Sequence, residues 1–258
     1  TMFNIEEYNI KLESNRLSSN FVYIEDVDST NTFLLNSSEF NEDGTIVLAE
    51  YQSHGRGRKE RNWLSEKGLN LTFSILLKNN LQKERIQLLS MYASLAIVKA
   101  LRSLYQLEAF VKWPNDVLVN NKKICGILVE NSFIGNQVDK VVIGIGLNVN
   151  QSNFPGEYRI QPTSIKREFH QEVSREALLS EIINIFDELL ADYPNNSQRI
   201  IDEWCEYCPS IGDNITIDVD KELKYGVFDS VDENGNLVLR NGDKYEKINY
   251  GELKNWFQ

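Results

Sequence analysis

Gly55-Arg56-Gly57-Arg58-Lys59-Glu60-Arg61 puts four cations and two glycines into seven positions of a chain whose formal net charge is −11. Glycines let a backbone approach a ligand closely, and arginine forks match phosphate oxygens. A phosphate-binding loop is one reading of the segment; a solvated charged loop is the other. The P-loop pattern G-x-x-x-x-G-K-[ST] is absent, so a nucleotide site here is of another kind. Lys112-Trp113-Pro114-Asn115-Asp116 gathers a cation, an amide and a carboxylate about a rigid turn, a set able to hold a phosphate and its Mg²⁺. A turn with a capped aspartate has the same residues. Gly144-Ile145-Gly146 is not a dinucleotide fingerprint, because Val149 stands where the third glycine belongs. It reads as a strand end that a ligand or a second strand approaches closely.

These segments need elements to position them. Residues 21–27 read as a strand, followed by the Asp28-Ser29-Thr30 turn, all three good N-caps, and a helix over 31–35. Strands are expected at 44–51 and 69–77, on either side of the Arg-Gly loop. Leu88, Leu89, Tyr92, Leu95, Ala96 and Val98 recur at three and four, which predicts a helix over 87–105. Strands at 110–113, 117–119, 124–130 and 141–149 follow, with a hairpin turn at Asn120-Asn121-Lys122-Lys123. Helices are expected over 175–193 and 198–205. Beyond Cys208-Pro209 the pattern changes to short strands at 214–219, 223–230, 236–240 and 244–249, the signature of a small β-barrel. The expected organisation is thus an α+β domain over 1–208, with many neighbouring strands joined as hairpins, and a small barrel over 209–258.

Composition narrows the classes. At 41% hydrophobic and 25% charged, the 258 residues suit a globular protein. No run approaches the roughly 20 apolar residues of a membrane span, and no apolar leader is visible at 1–20, so no membrane partner and a cytoplasmic location are expected. With 27 basic against 38 acidic residues, nucleic acid is not the expected partner. Cys125, Cys205 and Cys208 give no disulfide framework. The Cys205/Cys208 pair has no second pair or nearby histidine to complete a zinc site.

Taken together, Asp28-Ser29-Thr30-Asn31, Ala49-Glu50-Tyr51-Gln52 with the Arg-Gly loop and Trp63, Lys112 to Asp116, Lys123-Ile124-Cys125-Gly126-Ile127-Leu128-Val129-Glu130, and Val142-Ile143-Gly144-Ile145-Gly146-Leu147-Asn148 resemble, in order and spacing, the signatures of biotin protein ligases. The resemblance runs from about residue 21 to the end. It implies a mixed sheet with helices, like that of class II aminoacyl-tRNA synthetases, followed by an SH3-like barrel. It also implies ATP-dependent formation of biotinyl-5′-AMP and transfer of biotin to a lysine of a biotin carboxyl carrier domain. The implied small molecules are biotin, ATP and Mg²⁺.

Carried onto this chain, the resemblance implies that Ser29, Thr30, Asn31 and Gln52 hold the ureido head of biotin. Gly55, Arg56, Gly57 and Arg58 would fold over biotin and the adenylate, Lys123 would meet the carboxylate or phosphoryl group, and Gly126 would shape the wall. Arg58, Arg61, Trp63, Asn115 and Asn148 are implied nucleotide contacts, with Trp63 against adenine. Lys112, Arg56 and Asp116 are the implied catalytic residues, Asp116 also the metal ligand. Where many relatives have a further glycine the loop continues Lys59-Glu60-Arg61-Asn62, so its closing motion is expected to differ. A lipoate ligase is the nearest alternative, but a polar ureido ring demands hydrogen-bonding partners that a dithiolane does not. A biotin-responsive repressor is the other. Only 27 residues precede Asp28, fewer than a DNA-binding module and its linker need. Related ligases occur as monomers and as homodimers, and both states stay open here.

Overall fold

A computed structural model describes residues 2–255. Its centre is a seven-stranded sheet in the order β1-β2-β3-β7-β6-β5-β4. Strands β1 (Phe21–Val27) and β2 (Ile46–Gln52) are parallel, joined by helix α2 (Thr30–Asn36), because parallel neighbours need a crossover. Every other pairing is antiparallel: β3 (Leu71–Leu77), β4 (Ala109–Lys112), β5 (Asp116–Val119), β6 (Lys122–Ile134) and β7 (Gln137–Leu147). Between β5 and β6 the chain turns on Asn120 and Asn121, both left-handed, a conformation asparagine tolerates.

The period of two along these strands separates their faces. Phe73, Ile75, Ile143, Ile145 and Ile127 belong to the main core, where α3 (Leu88–Tyr105) and α5 (Arg175–Leu190) pack on each other. On the other face Val47, Leu76 and Val142 pack against Leu34 of α2. Followed two residues at a time along that second face, β3 continues from Leu76 to Ser74 and Thr72. β7 continues from Val142 to Gly144 and Gly146. The apolar end of this face is covered by α2, and the polar, glycine-rich end is the floor of a cavity. Helix α3 is apolar and long enough by composition to cross a membrane, but most of it is buried in this core.

Strands β8 (Asn214–Val219), β9 (Glu222–Val231), β10 (Leu237–Asn241), β11 (Lys244–Ile248) and β12 (Glu252–Asn255) form a second, antiparallel sheet in the order β11-β10-β9-β8-β12. It has five strands, where four were expected; β12 is held by its pairing to β8. Its Ile217, Phe228, Leu239 and Leu253 join the main core. Two short helices were also unexpected. Helix α1 (Ile5–Lys11) is capped by Asn4, whose side chain accepts from Glu6 and Glu7 N–H, and it buries Tyr8. Helix α4 (Ile165–Phe169) is capped by Ser164. Helix α6 (Gln198–Glu206) carries Cys205, and the thiols of Cys205 and Cys208 are separate; burial pushes them up to about 11 and about 12.

Candidate active site

The cavity on the second face has a volume of 670 Å³. Every candidate from the sequence borders it except Gly55, which lies behind the wall, where a Cβ would collide with the Trp63 carbonyl and the Gln52 amide.

One end is uncharged and dense in hydrogen bonds. Ser29 caps α2 by accepting from Thr32 N–H. The Gln52 Oε1 accepts from Thr30 N–H at 2.8 Å and Thr30 Oγ1 at 3.0 Å, which leaves the Nε2 end of Gln52 as the donor. Asn31 is fixed from all sides. Its Oδ1 accepts from Ser74 Oγ at 2.6 Å, and its Nδ2 donates to Leu128 O at 3.2 Å and Glu130 Oε2 at 2.8 Å. Both Nδ2 protons are thus spent on the protein and only one lone pair of Oδ1 is left over, which makes Asn31 chiefly a support of the pocket. Gly144 is necessary here, since a Cβ on it would overlap the Asn31 amide.

The other end carries charge. Lys112, at the end of β4, is 4% exposed, and burial pulls its pKa down to about 8; Asp116 opposes that shift, while Arg159, Lys123 and Arg58 add to it. Lys123 Nζ lies 2.7 Å from Asp116 Oδ1. Burial pushes the Asp116 carboxyl up, yet Lys123 and Lys112, with Arg58 behind them, hold it below the usual carboxylate range. Asn115 is pinned by its Nδ2 donating to Ile127 O at 2.6 Å. Asn148 donates its Nδ2 to Thr163 O at 2.9 Å, and its buried Oδ1 has no protein partner. Trp63 lies on the strip made by Gly126 and Gly146, paired across β6 and β7, where a Cβ on Gly146 would overlap its ring. Lys123 Nζ is 5.7 Å from the Trp63 ring centre, and the buried Trp63 Nε1 lacks a partner. A buried orphan acceptor and a buried orphan donor on one cavity wall are what a polar ligand satisfies.

The Arg-Gly loop is a small hairpin. Trp63 N–H donates to Gly55 O at 2.8 Å and Gly57 N–H to Arg61 O at 2.6 Å, with a 3₁₀ turn at Arg58–Glu60 for its tip. It also reaches both ends of the cavity. Arg56 Nη2 pairs with Glu130 Oε2 at 3.0 Å above the uncharged floor of Ser29, Thr30, Asn31 and Gln52, so Arg56 does not sit in the lysine cluster where a catalytic role was expected for it. Arg58 is the loop cation of that cluster: its charge bears on Lys112 and Asp116, and its Nη1 lies 3.5 Å from Asn115 Oδ1 and from Gly251 O. Arg61 is ion-paired with Glu252 of β12 at 2.5 Å.

Sequence reasoning missed Ser74, Glu130, Arg159 and Glu252. Arg159 borders the cavity, pairs with Glu252 and donates to Leu253 O at 2.5 Å. It lies in a stretch, 151–162, without periodicity to mark it. Glu130 stood in a quoted motif, but its partners are 74 and 99 residues away.

Residues 23–148 match the biotin/lipoate A/B protein ligase family. The biotin–[acetyl-CoA-carboxylase] ligase of Paracoccus denitrificans is 31% identical over 219 residues, 83% of this chain and 91% of that protein. The chain belongs to this family. The bifunctional ligase/repressor of Bacillus subtilis is also 31% identical, and the matched region spans 82% of this chain but only 66% of that relative. The fold agrees. The biotin protein ligase of Aquifex aeolicus, solved in complex with biotin and ATP, superposes with a TM-score of 0.79 at 27% identity, covering 91% of this chain and 97% of that one.

Proposed function

We propose that this member of the family is a biotin protein ligase, which joins biotin to ATP as biotinyl-5′-AMP and passes biotin to a lysine of a carrier domain. The observation that carries the reading is the polarity of one cavity. Ser29, Thr30 and Gln52 stand at an uncharged end suited to a ureido ring, and Lys112, Lys123 and Arg58 at an end suited to a carboxylate meeting a phosphate. A lipoate ligase needs the second end but not the first. Residues 1–208 would supply the cavity and residues 209–258 its outer edge, through Gly251 and Glu252.

In the first step a carboxylate oxygen attacks the α-phosphorus and pyrophosphate leaves. Two anions must meet, so the barrier is largely electrostatic. Lys112 and Lys123 offset that repulsion where charge develops, out of water and fixed in place, and Arg58 holds the phosphate once the adenylate has formed. The hairpin keeps water from the mixed anhydride. In the second step a neutral amine attacks the acyl carbon, AMP leaves, and the proton that the nitrogen gives up as the amide forms passes to Asp116. Asp116 is positioned to orient that amine, once Lys123 has shifted to the ligand. Trp63 and Asn148 are the proposed nucleotide contacts. The described residues contain no cluster of three potential metal ligands, and Asp116 is paired to Lys123. The described residues therefore offer no ready-made metal cluster. Mg²⁺ would arrive on the phosphates of ATP, its usual habit, and neutralise part of their charge.

Biotin-dependent exchange of labelled pyrophosphate into ATP tests the first step, and labelling of a carrier domain tests the second. Exchange driven equally by lipoate would overturn the assignment to biotin.

A further inference from the structure

Glu130 accepts two hydrogen bonds on a single oxygen, Oε2: from Asn31 Nδ2 at 2.8 Å and from Arg56 Nη2 at 3.0 Å. Asn31 is part of the fixed floor of the uncharged end, and Arg56 belongs to the hairpin above it. The carboxylate is the link between floor and hairpin at this end. At the charged end Arg61 ties the hairpin to Glu252 of β12, and Arg58 reaches Asn115 and Gly251. Gly55 and Trp63 close the base of the hairpin by a backbone bond, so the Arg56 contact comes one residue after the base and before the tip.

We propose that Glu130 is a positioning residue for the proposed ligase reaction: it fastens the start of the Arg-Gly hairpin, through Arg56, to the Asn31 amide of the uncharged end. The chain Ser74–Asn31–Glu130–Arg56 stands without ligand, because both Nδ2 protons of Asn31 are already used and its Oδ1 is held by Ser74. A ligand therefore enters beside this chain without breaking it. With Arg56 and Arg61 both fastened, the part of the hairpin that adjusts over the ligand is the tip around Arg58. Glu130 touches no reacting atom; it acts on the uncharged end of the substrate through the hairpin it holds. The contact is half exposed on the Arg56 side, so its effect is modest.

The experiment uses the full chain and Glu130→Gln, which keeps an acceptor for Asn31 and removes the charge that holds Arg56. Backbone hydrogen exchange over 55–62 is measured without ligand, and is expected to speed up by about 1.5- to 5-fold. The biotin concentration for half-maximal pyrophosphate exchange is expected to rise by a similar factor, with the maximal rate within about twofold, since Lys112, Lys123 and Arg58 are untouched. Arg56→Gln should speed the same hydrogen exchange without ligand, and the double variant should exchange no faster than the faster single one. Unchanged exchange over 55–62 in Glu130→Gln, or effects that add in the double variant, would overturn the proposal. If Glu130→Gln does not fold, Arg56→Gln on the exposed hairpin carries the exchange measurement, read by the same criterion. Because hydrogen exchange is read without ligand, it tests the fastening even if the chain fails to use biotin at all; that failure would appear in the wild type and strike the functional reading instead.

Discussion

Lys112 is buried beside Lys123, Arg58 and Arg159 with Asp116 as its anion, and the balance leaves its pKa near 8. Between about 8 and the ordinary 10.5 the unfolded chain holds a proton that the folded chain has released, so this residue makes the fold more stable as pH rises through that window. Activity should move the opposite way. If the cation is what adenylation needs, kcat/KM for ATP should fall along a one-proton limb centred near 8, because that ratio reports the free enzyme. Lys112→Arg should lack the limb, since arginine stays charged. Lys112→Ala should slow adenylation by about 100- to 1000-fold while biotin binding, measured by calorimetry, stays nearly unchanged. A Lys112→Arg profile that still bends near 8 would assign the limb to another group. At this scale the sequence was informative where a residue type is rare and its neighbours are adjacent, as in Lys112 to Asp116. It was uninformative where the partner is tertiary. Nothing local says that the Asn31 amide is held by Ser74, Leu128 and Glu130, or that Arg56 and Arg58 point to opposite ends of one cavity.

Strand β7 shows what alternation makes legible and where it stops. Period two places Val142, Gly144 and Gly146 on one face and Ile143, Ile145 and Leu147 on the other. The two glycines were readable as a close approach, but not as two different ones. Gly144 makes room for the Asn31 amide and Gly146 for the Trp63 ring. In the proposed reaction the two positions would therefore separate the two substrates by a single methyl group. Gly144→Ala should weaken biotin binding and spare ATP, and Gly146→Ala should weaken ATP and spare biotin. Each overpacked site costs about 1–3 kcal/mol, or roughly 5- to 150-fold in the affected affinity. Equal loss of both ligands in both variants would mean that the strand shifts as a whole. Short elements were harder to see. Helix α1 has seven residues with one buried, and β12 has four residues that owe their extension to β8, so neither carries a periodic signal. Glu50 and Arg175 are similar: far apart in sequence, they form a bidentate pair at 2.6 and 3.0 Å, with both side chains at most 5% exposed. Arg175→Ala strands the Glu50 carboxylate and should destabilise the fold by about 3–5 kcal/mol, read as a lowered urea midpoint at constant m-value.

Across the whole molecule, the cavity is built by one sheet and bounded by another. Trp113 Nε1 donates to Gly235 O at 3.2 Å, Arg159 reaches Leu253 O, and Arg61 pairs with Glu252, so the C-terminal strands touch three cavity segments. That relation lies beyond local pattern, which reads each set of strands by itself. Arg58 lies at this junction. Burial disfavours its charge, Asp116 supports it, and its contacts to Asn115 and Gly251 are at 3.5 Å, the long limit of a hydrogen bond. A cation so loosely satisfied binds an anion well, and the adenylate phosphate is the anion the proposed reaction leaves there. Losing such a charge-assisted bond costs about 1.5–3 kcal/mol, which speeds adenylate escape by about 10- to 100-fold. Lys112 and Lys123 remain in Arg58→Gly, so adenylate should still form. Freed biotinyl-5′-AMP acylates any accessible amine, so Arg58→Gly with biotin and ATP should label an inert bystander protein that the wild type leaves unlabelled. The measurement is biotin on the bystander beside biotin on the carrier domain. Normal adenylate formation with label on the carrier alone would show that Arg58 does not retain the intermediate, and that the hairpin is held shut by its contacts to Glu130 and Glu252 instead.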